Sequence, residues 1–383
     1  MKIQKYNLPD DVVLIILSKL PVKTLMRCRC VSKEWKLFIN NTHLISTHLH
    51  HSNTTKLSII EGMDLTTRFP KLLLLRDEST IEDLELPFTR DKVQTIHNKY
   101  TRIVVGCCNG LLCFNLSDNY TTILLWNPAT RESRYLSKPK PVSTITKQQF
   151  VYYMSFGFDH INNDYKLVRI TENSSTFELQ IQVFRQSTND WREVKRILGY
   201  RMSGYKMSHS YSVTVNGVLY LLAEYNTKNE LNRCILQFNL CTEKFEEILD
   251  LPSKVEKIML YQWKESFAMV EPTDLEYNFW IKNNGLPGWT KLFTISGCIV
   301  CDSKSYLAGT WKDKLIFRKY NRGVFRKYDR GVYYKELEND RELTLLDAVH
   351  SRDYMNNYRP LKKYGIYINT FDYVDSLVSV NPP

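Results

Sequence analysis

Few residues in this chain have the type and spacing to do chemistry. Cys298 and Cys301 form a C-x-x-C, one edge of a zinc site, but no second C-x-x-C or spaced histidine pair completes it. Two cysteines packed beside a strand is the reading. Four of the eight histidines, His43, His48, His50 and His51, fall within 42–56, "THLISTHLHHSNTTK". No acid or cysteine accompanies them, so the segment reads as a solvated helix end running into a linker. The chain has no G-x-S-x-G, no H-E-x-x-H, no P-loop and no Gly-x-Gly-x-x-Gly opening a helix. The expectation is a chain that is not an enzyme and has no catalytic residue, metal or cofactor.

Binding chemistry is easier to find. The octads "FRKYNRGV" (317–324) and "FRKYDRGV" (325–332) differ at one position. One reading is a duplicated basic-aromatic patch for phosphate, a glycan or an acidic peptide. The other is a three-stranded meander with Arg322-Gly323 and Arg330-Gly331 in its turns, because an even repeat keeps side-chain alternation in step. The stretches "GYRMSGYKMSH" (199–209) and "VHSRDYMNNYRPLKK" (349–363) mix Tyr, Met and Arg, types common at protein interfaces. Arg201, Tyr205, Arg322, Arg330, Tyr354 and Arg359 are the candidate substrate contacts.

The 383 residues are 43% hydrophobic and 24% charged, an ordinary globular balance for two or three domains or one repeat fold with an appendage. The apolar run "VVLIIL" at 12–17 is short and follows Asp10 and Asp11. It is neither a signal peptide nor a membrane span, and the expected location is the cytoplasm, the nucleus or both. Net charge is +11. Residues 1–41 hold eight basic side chains against Asp10, Asp11 and Glu34, and Arg318, Lys319, Arg322, Arg326, Lys327 and Arg330 face only Asp329. Two separate patches are less than the stripe that nucleic acid requires.

The elements that position these groups change character along the chain. Leu8, Val12, Ile15, Ile16 and Leu20 have helical spacing, with two acids in the first turn. Pro21 ends that helix. "VKTLMRCRC" reads as a second helix, and Ser32 caps a third, "SKEWKLFIN". Such a small unit packs on a partner. The stretch "LPDDVVLIILSKLPVKTLMRCRCVSKEWKLFI" resembles an F-box, the helical motif that docks on a Skp-type adaptor. The matching positions are Leu8-Pro9-Asp10, Ile16-Leu17, Leu20-Pro21-Val22-Lys23, Leu25, Arg27, Val31-Ser32-Lys33 and Trp35. The resemblance implies that Leu8, Pro9, Leu17, Leu20, Pro21, Leu25 and Val31 face the adaptor, with Trp35 facing either the adaptor or the chain's own β domain. The surrounding Lys and Arg would meet an acidic adaptor.

From about residue 100 short β runs alternate with turns, and five units start at 103, 155, 212, 257 and 305. A period near 50 residues with about four strands predicts propeller blades. The early strands at 56–62 and 71–76 and the strands at 364–380 would share a sixth blade that closes the ring; a two-sheet sandwich is the alternative. Residues 76–99 read as a long surface connection. Trp126, Trp191, Trp289 and Trp311 are expected to wedge sheets together, and Asn109-Gly110 and Asn216-Gly217 to form tight hairpin turns.

"NGLLCF", "LLWNPATRESRYL", "FGFDHINNDYKLVRI", "VNGVLYLLA", "FNLCTEKFEEI" and "YVDSLVSV" resemble the F-box-associated domain of plant F-box proteins, a group that includes S-locus F-box proteins. The expected fold is a three-helix all-α F-box (1–45), a linker with early strands (46–102), and an all-β domain (103–383) forming a six-bladed kelch-like propeller. The resemblance implies a non-catalytic substrate adaptor of a Skp–cullin–F-box ubiquitin ligase. Its partners would be a Skp-type adaptor, through it a cullin scaffold, and a protein substrate, in self-incompatibility or another plant response. The alternative is a basic aromatic-rich β domain that binds RNA or glycan.

Overall fold

The computed structural model describes residues 8–52, the strand framework between 57 and 344, and residues 369–381. Segments between strands lie outside it, the longest within the framework being 94–102, 141–148, 203–211, 252–257, 297–304 and 320–331; for 305–344 only the backbone course is described.

Four helices open the chain: α1 (Asp10–Ser18), α2 (Val22–Cys28), α3 (Lys33–Ile39) and α4 (Thr42–Ser52). Pro9 and Pro21 sit at the N-caps of α1 and α2, where a missing N–H removes no helical bond. Asp10 and Asp11 lie on the positive end of the α1 dipole. Ser32 Oγ accepts from Trp35 N at 3.2 Å and caps α3. Leu17, Val22, Leu25, Ile39 and Leu44 form the helical core. The expectation of three helices is corrected by α4. The supposed solvated segment is an amphipathic helix whose Leu44, Ile45, His48 and Leu49 share a stripe.

The strands follow in chain order. β1 (Leu57–Met63), β2 (Pro70–Leu75) and β3 (Ile81–Leu84) come first, then β4 (Val104–Cys108), β5 (Leu111–Asn115), β6 (Ile123–Asn127) and β7 (Glu132–Tyr135). The next sheet contains β8 (Gln149–Asp159), β9 (Asp164–Asn173), β10 (Glu178–Arg185) and β11 (Asp190–Leu198). After it come β12 (Tyr200–Met202), β13 (Ser212–Val215), β14 (Val218–Thr227), β15 (Glu230–Asn239) and β16 (Lys244–Ile248). β17 (Met259–Trp263), β18 (Ser266–Pro272), β19 (Glu276–Lys282) and β20 (Trp289–Ser296) precede β21 (Ser305–Trp311), β22 (Lys314–Lys319), β23 (Val332–Glu336), β24 (Glu342–Thr344) and the last strand, β25 (Asn369–Tyr373). The six-bladed expectation is corrected to five blades, each an antiparallel sheet cut from one continuous stretch, with a composite sheet of order β25-β1-β2-β3 joining the two ends where the shared blade was expected. The inner strands β25, β4, β8, β13, β17 and β21 neighbour one another in that order, and β21 returns to β25. The ring closes, so the architecture is a β-propeller and not a sandwich. Two local expectations change. Residues 76–99 contain β3, a short 3-10 turn at Arg90–Lys92 and a buried Phe88. Beyond Tyr373 the described chain joins no ladder.

Side-chain alternation explains the stacking. Leu112 and Phe114 face Ile59 and Leu72 of the composite sheet, while Leu111 and Cys113 face Phe156 and Leu167 on the next sheet. Val168 and Ile170 then meet Leu219 and Phe238. β5 and β9 thus each serve two interfaces. Trp126 and Trp191 are buried as expected wedges, and Trp289 packs at the edge of the following interface.

Tight turns line one end of the ring. Asn109-Gly110 and Asn216-Gly217 have positive φ at both positions, as predicted. At Asn127, Asp159 and Asn239 a side-chain oxygen accepts two backbone N–H groups, and the residue four further on (Arg131, Asn163, Glu243) has positive φ. Gly110 has a second constraint: a Cβ there would meet Val374 O at 2.6 Å and Ser376 Cβ at 2.7 Å. Gly110→Ala is therefore expected to lower stability by about 2 kcal/mol or more, from left-handed strain plus the clash. Urea denaturation reads this directly.

An ion cluster pins the β8–β11 sheet to the β13–β16 strands. Lys166 Nζ, 1% exposed, lies 2.7 Å from Asp159 Oδ2 and 2.8 Å from Glu243 Oε1 and donates to Leu240 O at 2.6 Å. Arg185 donates to the same Glu243 oxygen, and Arg192 to its other one.

Candidate functional site

Seven of the ten strongly exposed large apolar side chains among the described residues lie between Leu8 and Leu37: Leu8, Val12, Ile15, Ile16, Val31, Trp35 and Leu37. Exposure runs from 37% at Trp35 to 74% at Leu37. The cause is visible in α1, whose sequence is apolar nearly all round. Leu17 points into the helical core with Val13 and Leu14 beside it. Val12, Ile15 and Ile16, spaced i, i+3 and i+4, form a second stripe that covers nothing. A helix with two apolar faces belongs in an interior, so the outer face lacks a partner. Lys19, Lys23, Arg27, Lys33 and Lys36 on and between the same helices are exposed.

The residues expected at this face divide. Leu8, Pro9, Pro21, Val31 and Trp35 are exposed, and Leu20 is half-buried. Leu17 and Leu25, at 3% and 0% exposure, are packed in the helical core. Val12, Ile15 and Leu37 were missed. The second stripe on α1 is the signal that finds the first two; Leu37, beside Phe38 and Ile39 in a short helix, carries none.

His48 is buried, and its Nε2 lies 3.0 Å from Leu20 O while Ser52 Oγ lies 3.3 Å from Nδ1. It satisfies a carbonyl just past the end of α1, and burial pushes its pKa below the ordinary imidazole value. His43, His50 and His51 are not buried with it. Among the described residues no three His, Cys, Asp or Glu are placed to hold a metal ion; Cys298 and Cys301 lie outside them. Burial pushes the Cys107 thiol well above its usual value and Cys108 up to about 12. Cys241 lies 3.7 Å from His160 Nδ1, but burial and Asp159 also raise its pKa. These thiols are held protonated and are poor nucleophiles.

On the propeller, Arg201 belongs to β12, in register with Glu224 of β14. Tyr205, Arg322, Arg330, Tyr354 and Arg359 lie outside the described residues, as does most of the octad pair. The flanking strands still locate an end of the ring. In each antiparallel meander the first and third turns share one end, and the helices sit there, with Arg29 bonded to Glu132 at 3.2 Å and Ala129 packed on the helical core. β22 ends and β23 begins at the opposite end.

Residues 6–47 match the F-box domain family, and residues 72–316 match the family described as the F-box associated beta propeller domain. F-box protein CPR1 of Arabidopsis thaliana is 26% identical over 334 residues, 79% of this chain and 76% of its own. F-box protein At1g11270 of the same plant is 30% identical over 267 residues, 65% of this chain and 77% of its own. F-box/kelch-repeat protein At3g23880, also from Arabidopsis thaliana, is 27% identical over 256 residues, covering 63% and 65%.

Proposed function

The chain belongs to the F-box proteins that carry an F-box-associated β-propeller, and from that membership we propose that it is the substrate-recognition subunit of a Skp–cullin–F-box ubiquitin ligase. The observation that carries the proposal is the uncovered apolar face of α1–α3. A Skp-type adaptor covers it, and the cullin is reached through the adaptor. The basic rim meets acidic groups on the adaptor, which favours rapid encounter and correct register more than final affinity. The chain itself contributes positioning. A substrate held by the propeller has its lysines at high effective concentration beside the charged conjugating enzyme, in the cytoplasm or nucleus.

The substrate is a protein bound by the propeller at the end of the ring away from the helices, with Arg201 of β12 among its contacts. The response it serves, self-incompatibility among the expectations above, is read from the identity of the captured substrate.

The test is capture from native tissue with the proteasome blocked, comparing the full chain with one beginning at Leu57, beyond α4. Adaptor and cullin recovered only with the full chain, together with a further protein recovered by both, is the expected result. A full chain that recovers neither adaptor nor cullin overturns the proposal. A β domain that binds RNA or glycan alone leaves the apolar helical face unused. For RNA it also predicts affinity falling steeply with salt, which a packed adaptor interface does not.

A further inference from the structure

The chain after β25 is held in an unusual way. Residues 374–381 join no sheet, yet Ser376 is fully buried, and Leu377, Val378 and Val380 are buried as well. Their backbone carbonyls are gripped by two carboxamides. Asn127 Nδ2 donates to Ser376 O at 3.0 Å and to Val378 O at 2.8 Å. Gln186 Nε2 donates to Ser379 O at 3.2 Å and to Asn381 O at 2.9 Å. Arg76 anchors the start of the segment through Asp375 at 2.9 Å. The side chains then alternate between two bodies. Leu377 enters the helical core beside Leu17, Val22, Leu25, Ile39 and Leu44. Val378 and Val380 enter the core between the β4–β7 and β8–β11 sheets, where Ile45 and Leu49 of α4 also pack.

We propose that residues 374–381 are a positioning strap that locks α1–α4 to the propeller, so that the adaptor-facing and substrate-facing surfaces move as one body. The other direct ties are Ile45 and Leu49 of α4 against that same inter-sheet core, Ala129 against the helical core, and Arg29–Glu132, a partly exposed ion pair of the kind that contributes little. Of these segments only the strap puts side chains into both cores while its backbone is bonded to the propeller. A fixed angle between the surfaces matters because lysine transfer depends on where the substrate is presented, and a loose joint dilutes the effective concentration. That last step rests on the ligase reading; the lock itself does not.

Two substitutions isolate the strap. Asn127→Asp keeps the oxygen that accepts from Ala129 N and Thr130 N but loses both donations to the strap, and Gln186→Glu loses both donations at its end. The full chain carries non-cysteine distance labels at the exposed Ser46 and Thr290. The wild type is expected to give one narrow distance distribution, and the double variant a broad one. Amide exchange over 376–381 is expected to rise roughly 10-fold or more, with adaptor affinity within about twofold of wild type. Should the double variant fail to fold, Leu377→Ala, which removes the strap's side chain from the helical core alone, carries the same measurement. A distribution as narrow in the folded variant as in the wild type overturns the strap. Failure of the wild type to bind adaptor overturns the ligase reading and leaves the distance result standing.

Discussion

Lys166→Met is expected to destabilise the propeller by about 3–5 kcal/mol in urea or thermal unfolding. Lys166, Asp159 and Glu243 are 1%, 0% and 4% exposed at the side chain, and removing the central ammonium strands the Asp159 carboxylate away from water and leaves Glu243 with Arg185 and Arg192 alone. The methionine fills similar volume, so a cavity does not explain the loss. Adding Asp159→Asn and Glu243→Gln removes the buried carboxylate charges, leaving only the partly exposed Arg185 and Arg192, and is expected to recover about half of the lost stability or more, because replacing buried ion partners together is often neutral. If the triple variant were no more stable than Lys166→Met, the effect would be packing and not charge.

The same cluster sets the response to acid. Burial acts to raise the Asp159 pKa, but hydrogen bonds from Lys166 and Asn162 more than offset it and hold the carboxyl well below the usual range. For Glu243 burial is likewise outweighed by Lys166 and Arg185. Both groups have folded pKa values below their unfolded values of about 4. Their contribution is therefore fully present above the unfolded pKa and is lost as pH falls through about 4 toward the folded values. Unfolding midpoints measured from pH 7 to pH 3 are expected to fall steeply at the acid end, and less so in the triple variant. A wild-type profile as flat as the triple variant's would refute the assignment.

The β domain was legible to the extent that its physics is local. Unit starts read at 103, 155 and 305 lie within a few residues of β4, β8 and β21, because strands with two buried faces are continuous apolar runs that turn residues punctuate. The asparagine-glycine turns were legible for the same reason. Position in a core was not. α1 has two apolar faces, and nothing in its own sequence says that Leu17 is inside while Ile16 is outside; that choice is made by α4 and by Leu377, hundreds of residues away. α4 was misread because a buried histidine stands where an aliphatic residue would mark the stripe. "YVDSLVSV" alternates like a strand, but its carbonyls bind Asn127 and Gln186 in place of a ladder. A side chain that replaces a neighbouring strand leaves no periodic trace.

At the helical face the expected result is a loss of adaptor binding without loss of fold. Ile16 and Val31 are 47% and 71% exposed, so Ile16→Asp with Val31→Asp is expected to change stability by no more than about 0.5 kcal/mol per site. Against the adaptor each substitution removes apolar contact and places a carboxylate in a dry interface. Central interface positions of this kind are worth about 2 kcal/mol each, which for the pair is roughly a thousandfold in affinity. Calorimetric titration with purified Skp-type adaptor measures the loss, and thermal unfolding of the same samples shows whether the helices survive. Leu25→Ala separates the two causes. Leu25 is fully buried in the helical core, so its truncation costs about 2–5 kcal/mol of stability and weakens adaptor binding only as far as the helices unfold. An aspartate pair that binds adaptor as tightly as the wild type would show that the exposed stripe of α1 and the α2–α3 corner are not the docking face.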